Sequence, residues 1–528
     1  AWSGFVNHED IEVFNTLSSN ADAARAANHL IQFDELWTGK RDGIVPIDVR
    51  VAEEEIYKVV EPEPLADILK KFPPRKKKSD DTPAEADPEF TLYDYQKEVL
   101  EDWESKGHHG VVCFATGGGK TLTAIQAIKR WTETGKPALV LVPTDYLLQQ
   151  WAEEFEKWVP SAKVLLVGGK GNSSSKWGPY LGAFSGGAIE GSRRVILSTY
   201  ASARSASFQA KIKSGEHLMI AADEVHNFGA TLNREIADWL VAGAKMGLSA
   251  TPERKWDSVG TQAIFDYFGE KLNPIFTLED ALKAKVLCDY DYFFEKCELT
   301  QDEDEAWAEL TKQFVKAWLA AGKKMTKKCT QILINRSRVA KAAFHKTQLT
   351  VEILEANFKS DDRWLVYCES IEHINEVSEA IQEAKIPGLQ VLEYHSKNAE
   401  EHKGAIDFLT KTGGVMLAVK CLDEGVNLPR VNKAIIMASS TNPREYIQRR
   451  GRVLRTHPEK HSAQIYDILT FRYGVDEPTT CAEIERSLLF SKTSRNVATG
   501  LELEQYQAIC KTKDPIPEEI DEEEEEYA

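Results

Sequence analysis

From Phe90 onward, short runs of apolar residues alternate with longer amphipathic stretches. The runs in the first half are GVVCFAT, PALVLVP, RRVILSTY, HLMIAAD and KMGLSAT. Unbroken apolar runs rich in Val, Ile and Leu are typical of strands that are buried on both faces of a parallel sheet. Their alternation with helical stretches predicts a doubly wound α/β domain.

A second set of apolar runs begins near Leu349 and predicts a second α/β lobe: RWLVYC, LQVLEY, GGVMLAV, KAIIMAS and SAQIYDIL. Between the two sets, Thr300 to about Lys346 is polar and has helical periodicity. The fold class that we predict is therefore α/β, with two parallel-sheet lobes, a helical insertion and a small N-terminal accessory domain.

The 528 residues suggest two to four domains. The predicted parts are an accessory domain at 1–60, a linker rich in Pro and Lys at 61–89, a first lobe at 90–285, a helical insertion or lobe linker at 286–348, a second lobe at 349–472, and a C-terminal extension with an acidic tail at 473–528. The net charge of −18 argues against a protein that coats DNA by bulk electrostatics. A basic cleft is still compatible with it, because the charge is unevenly distributed.

The cysteines and the hydropathy indicate the cellular compartment in which the protein is expected. The eight cysteines are scattered, without the paired spacing of a zinc site, and several lie in apolar runs. No run of eighteen apolar residues and no secretory signal is present. We therefore expect a cytoplasmic protein with reduced thiols and no membrane partner.

The strongest chemical signal is CFATGGGKT, residues 113–121, which lies between an apolar strand and a helical stretch. In a phosphate-binding loop, glycines allow backbone N–H groups to surround the phosphates, a lysine reaches the β- and γ-phosphates, and a hydroxyl holds Mg²⁺. Lys120 and Thr121 are the candidates for these last two roles. A chance glycine-rich turn is the alternative. The predicted ATP-binding residues here are Thr116, Gly117, Gly118, Gly119, Lys120 and Thr121.

Two adjacent carboxylates follow the apolar run MIAA and form the sequence DEVH. The carboxyl edge of a parallel sheet is where ligands bind. Asp223 is predicted to hold Mg²⁺ through water, and Glu224 to polarise the attacking water. The alternative is an acidic pair that caps the next helix.

A third signal is the basic sequence QRRGRVLR, which begins at Gln448. Arg452 and Arg455 are three residues apart and so share one helical face, and Gln448 lies four residues before Arg452 on the same side. From the second lobe these arginines could reach the γ-phosphate when the lobes close, and so stabilise the transition state. The alternative is a solvated basic helix or a patch that binds the phosphate backbone.

In this order and setting, the motifs resemble those of the superfamily 2 helicases over residues 90–471. The segments that carry the resemblance are LYDYQ, ATGGGKT, LVPTDYLLQQW, LSTY, DEVH, LSATP, LVYCES, CLDEGVNLP and QRRGRVLR. The family's version of the phosphate loop accounts for Phe114, which replaces the first glycine of the general pattern. The resemblance implies that both lobes are RecA-like and that one ATP binds between them.

The resemblance also assigns roles to further residues. Gln96 is implied to read adenine, and Gly425 to lie at the ATP. Thr144, Thr199 and Tyr200 are implied to contact nucleic acid, where hydroxyl and N–H groups hold phosphates without reading the sequence. As polar residues at strand ends, they could equally be structural. The residues implied to couple the two activities are His226, Ser249 and Thr251.

Within the superfamily, DEVH and LSATPERKWD are most similar to the branch with the xeroderma pigmentosum B-type repair helicases and the motor subunits of restriction systems. That branch implies that the helical insertion is a thumb that grips duplex. One departure concerns the strand-separating wedge, because Arg254, Lys255 and Trp256 stand where the repair family has Arg-Glu-Asp.

We therefore expect an ATPase that uses ATP and Mg²⁺ to move along duplex DNA, or secondarily to separate strands, in repair, restriction or antiviral defence. A partner subunit such as a nuclease is compatible with this setting. Two alternatives stay open. The chain could be a switch or scaffold that clamps nucleic acid with little turnover, or it could be an RNA helicase.

Overall fold

The computed structural model describes residues 87–88, 91–169, 172–254, 257–395, 409, 411–419, 430–438, 443–496 and 499–512. All of them belong to one compact unit, Phe72–Ala528. The predicted accessory domain at 1–60, nearly all of the linker, the acidic tail at 514–527 and Gly425 lie outside these residues. Among the residues that the structure does describe, there is no helix with the length and apolar character needed to cross a membrane.

The first lobe contains a six-stranded sheet with the order β1-β6-β5-β2-β4-β3, in which every pair is parallel. Its strands are β1 (His109–Val112), β2 (Ala138–Val142), β3 (Lys163–Val167), β4 (Arg194–Thr199), β5 (Gly215–Ala222) and β6 (Ala242–Leu248). The interior strands β2 and β4 are buried at every position. This burial explains why their sequences are apolar without alternation.

Helices cover this sheet and connect its parallel strands. They are α1 (Asp94–Ser105), α2 (Lys120–Glu133), α3 (Asp145–Trp158), α4 (Ser174–Phe184), α5 (Tyr200–Ala203), α6 (Ala206–Gln209), a 3₁₀ helix (Val225–Gly229), α7 (Ile236–Trp239), α8 (Ser258–Phe268) and α9 (Leu278–Lys283). Side chains at the strand ends begin several of them. Thr144 accepts a hydrogen bond from the Leu147 amide at the start of α3, and Thr199 accepts one from the Ser202 amide at the start of α5.

The second lobe has another six-stranded parallel sheet, with the order β7-β12-β11-β8-β10-β9. Its strands are β7 (Tyr290–Glu298), β8 (Arg363–Tyr367), β9 (Val391–Tyr394), β10 (Gly414–Ala418), β11 (Lys433–Ile436) and β12 (Ala463–Phe471). The two-lobed α/β fold predicted from the sequence is thus confirmed. Strand β7, however, lies inside the stretch 286–348 that the sequence assigns to a helical insertion. Because β7 pairs along its whole length with β12, these residues belong to the second sheet.

The helices of the second lobe are α10 (Gln301–Ala320), α11 (Lys327–Lys341), α12 (Phe344–Asn357), α13 (Ile371–Ala384), α14 (Pro443–Val453), α15 (Cys481–Ser491) and α16 (Thr499–Thr512). Helices α10 and α11 form a hairpin with a small apolar core of its own around Phe314, Cys329 and Leu333. The helical character of the insertion therefore begins after β7.

The C-terminal extension packs on the second sheet through a buried ionic network. Arg486 in α15 donates two hydrogen bonds, of 3.0 and 2.8 Å, to Asp467 in β12. The Tyr292 hydroxyl in β7 donates a third to the same carboxylate at 2.9 Å. A buried carboxylate that is satisfied in this way fixes α15 against the sheet edge. The described part of the extension, up to residue 512, is therefore built into the second lobe.

Candidate active site

The glycine-rich loop lies between β1 and α2, at the carboxyl edge of the first sheet. Gly117 and Gly119 have φ angles of +84° and +77°, which side chains rarely adopt. A Cβ atom at Gly119 would also lie 2.3 Å from Gln96 Nε2. The Lys120 ammonium donates to the Phe114 carbonyl at 3.1 Å, so its side chain folds back over the loop. The conformation and the close packing explain why these positions are glycine.

Phe114 stands where the general phosphate-loop pattern has its first glycine, and the structure gives the reason. The side chain is fully buried, and its ring meets the Tyr95 ring edge-on, with the centroids 5.2 Å apart. Beside it, the Ala115 amide donates to the Phe276 carbonyl at 2.7 Å. Phe114 thus anchors the start of the loop in the core of the lobe.

Gln96 contacts the loop from the first turn of α1. Its amide nitrogen donates to the Gly119 carbonyl at 3.3 Å, and its oxygen accepts from the Tyr93 amide at 3.0 Å. The side chain is 1% exposed. Gln96 is therefore next to the candidate ATP site as predicted, but here its amide holds the loop and caps α1. Its contact with adenine stays a prediction.

The acidic pair lies at the end of β5, beside the loop. Asp223 is buried, and its two carboxylate oxygens accept from the Trp151 indole N–H at 2.8 Å and from the Glu224 amide at 3.0 Å. Burial raises the pKa of Asp223, and this rise is opposed by the Trp151 hydrogen bond and by the nearby charge of Lys120. The structure thus brings Lys120 and Asp223 together, as an ATP–Mg²⁺ site requires.

Trp151 is a site residue that sequence reasoning did not single out. It lies on α3 at the end of LVPTDYLLQQW and is 1% exposed. A buried indole N–H needs an acceptor, and here the acceptor is the carboxylate of Asp223. The sequence carries a weak signal for this, because Trp151 ends a segment that already resembles a helicase motif.

Replacing Trp151 with Phe tests its hydrogen bond to Asp223. The change removes one donor from the carboxylate, so the already raised pKa of Asp223 should rise further. Asp223 must be ionised to hold Mg²⁺, so activity should be lost on acidification at a higher pH than in the unmodified protein. More Mg²⁺ should also be needed for half-maximal hydrolysis.

The measurement is the pH profile of ATP hydrolysis at several Mg²⁺ concentrations. Trp177→Phe is the matched control, because Trp177 is another buried tryptophan of the first lobe. Acid limbs that coincide for Trp151→Phe, Trp177→Phe and the unmodified protein would show that the hydrogen bond has no role in metal binding.

Glu224 and His226 connect the acidic pair to the LSATP segment. Glu224 has φ +43° and ψ 58°, a left-handed conformation that is strained for a non-glycine residue. The His226 ring nitrogen Nδ1 lies 3.5 Å from a Glu224 carboxylate oxygen and 3.4 Å from Ser249 Oγ. Ser249 Oγ in turn accepts from the Thr251 amide at 3.1 Å. The three predicted coupling residues therefore form a chain of contacts that begins at Glu224.

Arg254, the first residue of the departure from the repair family, is tied to the same chain. Its guanidinium donates to the His226 carbonyl at 2.9 Å and to the Asp257 carboxylate at 2.7 Å. Asp257 also accepts from the Gly260 amide at 2.7 Å, at the start of α8. Arg254 therefore links the acidic motif to α8, whereas Lys255 and Trp256 lie outside the described residues.

The second lobe places α14 directly against the glycine-rich loop. A Cβ atom at Gly451 would lie 2.4 Å from the Thr116 Cβ, so the backbone of Gly451 packs directly against the Thr116 side chain. Gln448 and Arg452 are buried on this helix. Arg455 follows close to Arg452, and burial lowers its pKa to about 10, so it is charged at neutral pH. The structure thus brings α14, the helix that carries Gln448 and Arg452, against the loop that precedes Lys120.

Two other arginines of QRRGRVLR point elsewhere. Arg449 donates to the Ala438 carbonyl at 2.9 Å, and Arg450 donates to the Leu489 carbonyl at 3.2 Å. The Arg450 guanidinium also lies 4.3 Å from the Phe490 ring centroid. These contacts fix α14 within the second lobe. Since three of its arginines are buried, α14 is not the solvated basic helix of the alternative interpretation.

The predicted nucleic-acid contacts are structural in this arrangement. Thr144 and Thr199 cap helices, and the buried Tyr200 hydroxyl donates to the Asp223 carbonyl at 3.1 Å. In this structure the three side chains therefore have a structural role, which was the alternative that the sequence left open. Their contact with nucleic acid stays a prediction.

Family comparisons match both lobes. Residues 89–254 match the family "Type III restriction enzyme, res subunit", and residues 345–457 match "Helicase conserved C-terminal domain". The first match contains the glycine-rich loop and the acidic pair, and the second contains α14. The chain belongs to the superfamily 2 helicases.

Individual relatives place this helicase in the branch that the sequence indicated. It is 24% identical over 397 residues to "DNA 3'-5' translocase XPB2" of Sulfurisphaera tokodaii, covering 72% of this chain and 81% of that protein. It is 23% identical over 455 residues to "General transcription and DNA repair factor IIH helicase/translocase subunit XPB" of Danio rerio, covering 81% of this chain and 51% of that protein. The helicase thus spans about half the length of the second relative.

A solved structure shares the fold of this helicase. It is "ATP-dependent Type ISP restriction-modification enzyme LlaBIII bound to DNA", with a TM-score of 0.55 and 16% sequence identity. The similarity covers 76% of this chain and 30% of that one. At this identity, the match supports the two-lobed architecture alone.

Proposed function

We propose that this superfamily 2 helicase hydrolyses ATP to translocate along duplex DNA, with strand separation as its second activity. The observation that carries the proposal is the contact of Gly451 with Thr116. This contact supports an arrangement in which α14, which carries Arg452, faces the loop of the first lobe. An ATPase site divided between two lobes can convert hydrolysis into movement, because ATP favours the closed cleft and its products release it.

The residues on the first lobe fit a nucleotide triphosphate and Mg²⁺. The left-handed loop at Gly117 and Gly119 leaves no room for side chains, so backbone N–H groups can approach phosphates. Asp223 and Thr121 would hold Mg²⁺, which neutralises charge on the phosphates when bound. Glu224 would orient the attacking water, and Lys120 would leave the Phe114 carbonyl to meet the β- and γ-phosphates.

We assign the substrate to DNA on the strength of the relatives. Two of them are described as DNA translocase or DNA repair helicase/translocase subunits. The setting that we propose is repair, restriction or antiviral defence, together with a partner subunit such as a nuclease.

The α10–α11 hairpin supplies a basic surface for the duplex. Its tip, GKKMTKK at residues 322–328, is exposed at every position and carries four lysines. The hairpin lies between the two family matches and has its own apolar core, so it can project from the lobe as a unit. We propose that these lysines contact duplex phosphates, which would fix the track without reading its sequence.

The double variant Lys323→Gln/Lys324→Gln tests this surface. For every phosphate that is no longer neutralised, the slope of log affinity against log salt should become shallower by about 0.9. The DNA concentration for half-maximal stimulation of hydrolysis should therefore rise, most strongly at low salt, whereas hydrolysis without DNA should stay the same. Duplex titrations at several salt concentrations measure both quantities.

Lys359→Gln/Lys492→Gln is the matched control, because it removes two exposed lysines of the second lobe that lie outside the hairpin. If the tip variant and this control shift DNA affinity and its salt slope equally, the hairpin is not a DNA contact.

The experiment that tests the proposed function is steady-state ATP hydrolysis without nucleic acid, and then with single-stranded DNA, duplex DNA and RNA at matched low salt. Strong stimulation by duplex DNA is the expected result. Selective stimulation by RNA would make the chain an RNA helicase. A slow rate that ignores all three nucleic acids would favour the nucleotide-dependent switch instead.

A further inference from the structure

The segment that joins the two lobes, residues 269–289, contacts both halves of the candidate active site. In its first part, the Phe276 amide donates to the Cys113 carbonyl at 3.1 Å, and the Phe276 carbonyl accepts from the Ala115 amide at 2.7 Å. The Tyr95 ring stacks on Phe276 with centroids 3.8 Å apart, and the Tyr95 hydroxyl donates to the Gly118 carbonyl at 3.1 Å. This part of the segment is therefore joined to the start and the centre of the glycine-rich loop.

The last part of the segment is joined to the end of the arginine motif. Leu287 and Arg455 form an antiparallel bridge, and the Cys288 amide donates to the Leu454 carbonyl at 2.9 Å. The Thr456 hydroxyl donates to the Val286 carbonyl at 3.3 Å. Three consecutive residues of the segment thus hold the backbone that carries Arg455.

Leu287 itself connects the two ends. Its side chain is fully buried and covers the loop, since a Cβ atom at Gly117 would lie 3.0 Å from Leu287 Cδ2. The amides of Val286 and Leu287 both donate to the Ala281 carbonyl in α9, at 2.9 and 3.1 Å. Leu287 therefore has its side chain on the phosphate loop, its backbone beside the arginine, and a fixed position relative to α9.

We propose that Leu287 is a positioning residue that couples occupation of the glycine-rich loop to the placement of Arg455. This inference rests on the proposed ATPase function and names a part of its mechanism. In a close-packed interior, Gly117 cannot change position without displacing the side chain that covers it. The Leu287 backbone forms a bridge with Arg455. A displacement of Leu287 should therefore also move Arg455. The contact supplies the continuous physical connection that coupling between the lobes needs.

The proposal predicts which kinetic constant changes. Leu287→Ala removes the contact with Gly117 but does not substitute Lys120, Asp223 or Arg455. ATP should still bind, so KM should change little, whereas kcat should fall by about 2- to 30-fold, the range for substitutions along a coupling route. Leu287→Met keeps most of the side-chain volume and should restore kcat.

Hydrogen–deuterium exchange with MgADP tests the coupling without hydrolysis. ADP lacks the γ-phosphate, so it gives Arg455 no direct ligand of the kind proposed for ATP. In the unmodified chain, MgADP should slow exchange in residues 113–121 and also in residues 450–456. In Leu287→Ala, the first effect should remain and the second should disappear. Ile275→Ala, at a 46% exposed position of the same segment, is the control and should retain both effects.

The outcomes separate this inference from the proposed function. Protection of residues 450–456 that persists in Leu287→Ala, while residues 113–121 are protected normally, would overturn the role of Leu287 and leave the ATP site intact. If MgADP protects neither segment in the unmodified chain, the nucleotide site is wrong, and the inference fails with it. Loss of both effects in Leu287→Ala but not in Leu287→Met would mean that Leu287 shapes the loop itself, which also overturns the proposal.

Discussion

Arg455→Ala is expected to lower DNA-stimulated ATP hydrolysis by about 10³-fold or more, the effect typical of removing an arginine finger. Arg455 lies close to Arg452 on the lobe that faces the phosphate loop, and with a pKa of about 10 it is charged at neutral pH. Its charge would be needed only as the γ-phosphate leaves, so kcat should fall far more than ATP affinity. Arg455→Lys should restore little, because an ammonium lacks the planar fork of donors.

Single-turnover hydrolysis and equilibrium binding of ATP measure these two effects separately. Arg495→Ala is a suitable control, because Arg495 forms an ion pair with Asp291 on the second lobe and is partly exposed. A kcat for Arg455→Ala within a factor of ten of the Arg495→Ala value would remove Arg455 from the catalytic site.

Glu224→Gln is expected to lower kcat by about 10²- to 10⁴-fold, the contribution typical of a general base. The amide keeps the size of the side chain but cannot accept the proton of the attacking water. The strained backbone of Glu224 should be retained, and ATP should still bind and close the cleft. The variant should therefore hold duplex DNA in an ATP-dependent manner while turning over very slowly.

Hydrolysis rates and DNA binding with and without ATP test both halves of this prediction. Glu190→Gln, in an exposed loop of the first lobe, controls for the loss of one carboxylate. Hydrolysis by Glu224→Gln at the rate of this control would show that another group activates the water. Loss of ATP-dependent binding together with hydrolysis would mean that Glu224 supports the nucleotide site rather than the chemistry.

The glycine-rich loop and the acidic pair could be predicted because each is local in the sequence. The loop that leads to Lys120 follows β1, and Asp223 follows directly on β5 of the same parallel sheet, so their meeting at the carboxyl edge follows from the topology. The spacing of Arg452 and Arg455 was likewise a local signal. The structure gives Arg449 and Arg450 partners within the second lobe. The shared helical face predicted for Arg452 and Arg455 was wrong, because α14 ends at Val453 and Arg455 lies beyond it in a bridge with Leu287.

Contacts that depend on the packing of distant segments could not be predicted in this way. The Trp151 hydrogen bond to Asp223 joins residues that are 72 positions apart, and neither sequence pattern alone indicates the partner. Leu287 is one apolar residue among many until the fold places Gly117 and Arg455 on either side of it. Strand β7 was missed because its sequence, YDYFFEKCE, mixes polar and apolar residues, as suits the edge of a sheet.

The capping threonines Thr144 and Thr199 show that a local sequence pattern can be compatible with two different roles. Family resemblance assigned Thr144 and Thr199 to nucleic acid, whereas the structure engages both hydroxyls with the first turns of α3 and α5. A threonine between a strand and a helix is favoured as an N-cap for purely local reasons. The sequence pattern therefore cannot separate the two roles.

Displacement of a third strand from duplex DNA tests the central claim most directly, because a motor that moves along the duplex must remove a triplex-forming oligonucleotide in its way. We predict ATP-dependent release of the third strand, with a lag that grows with the length of duplex leading to it, and no release by Glu224→Gln. If ATP hydrolysis is stimulated by duplex DNA but the third strand stays bound at every duplex length, the chain does not translocate, and the proposed motor function is wrong.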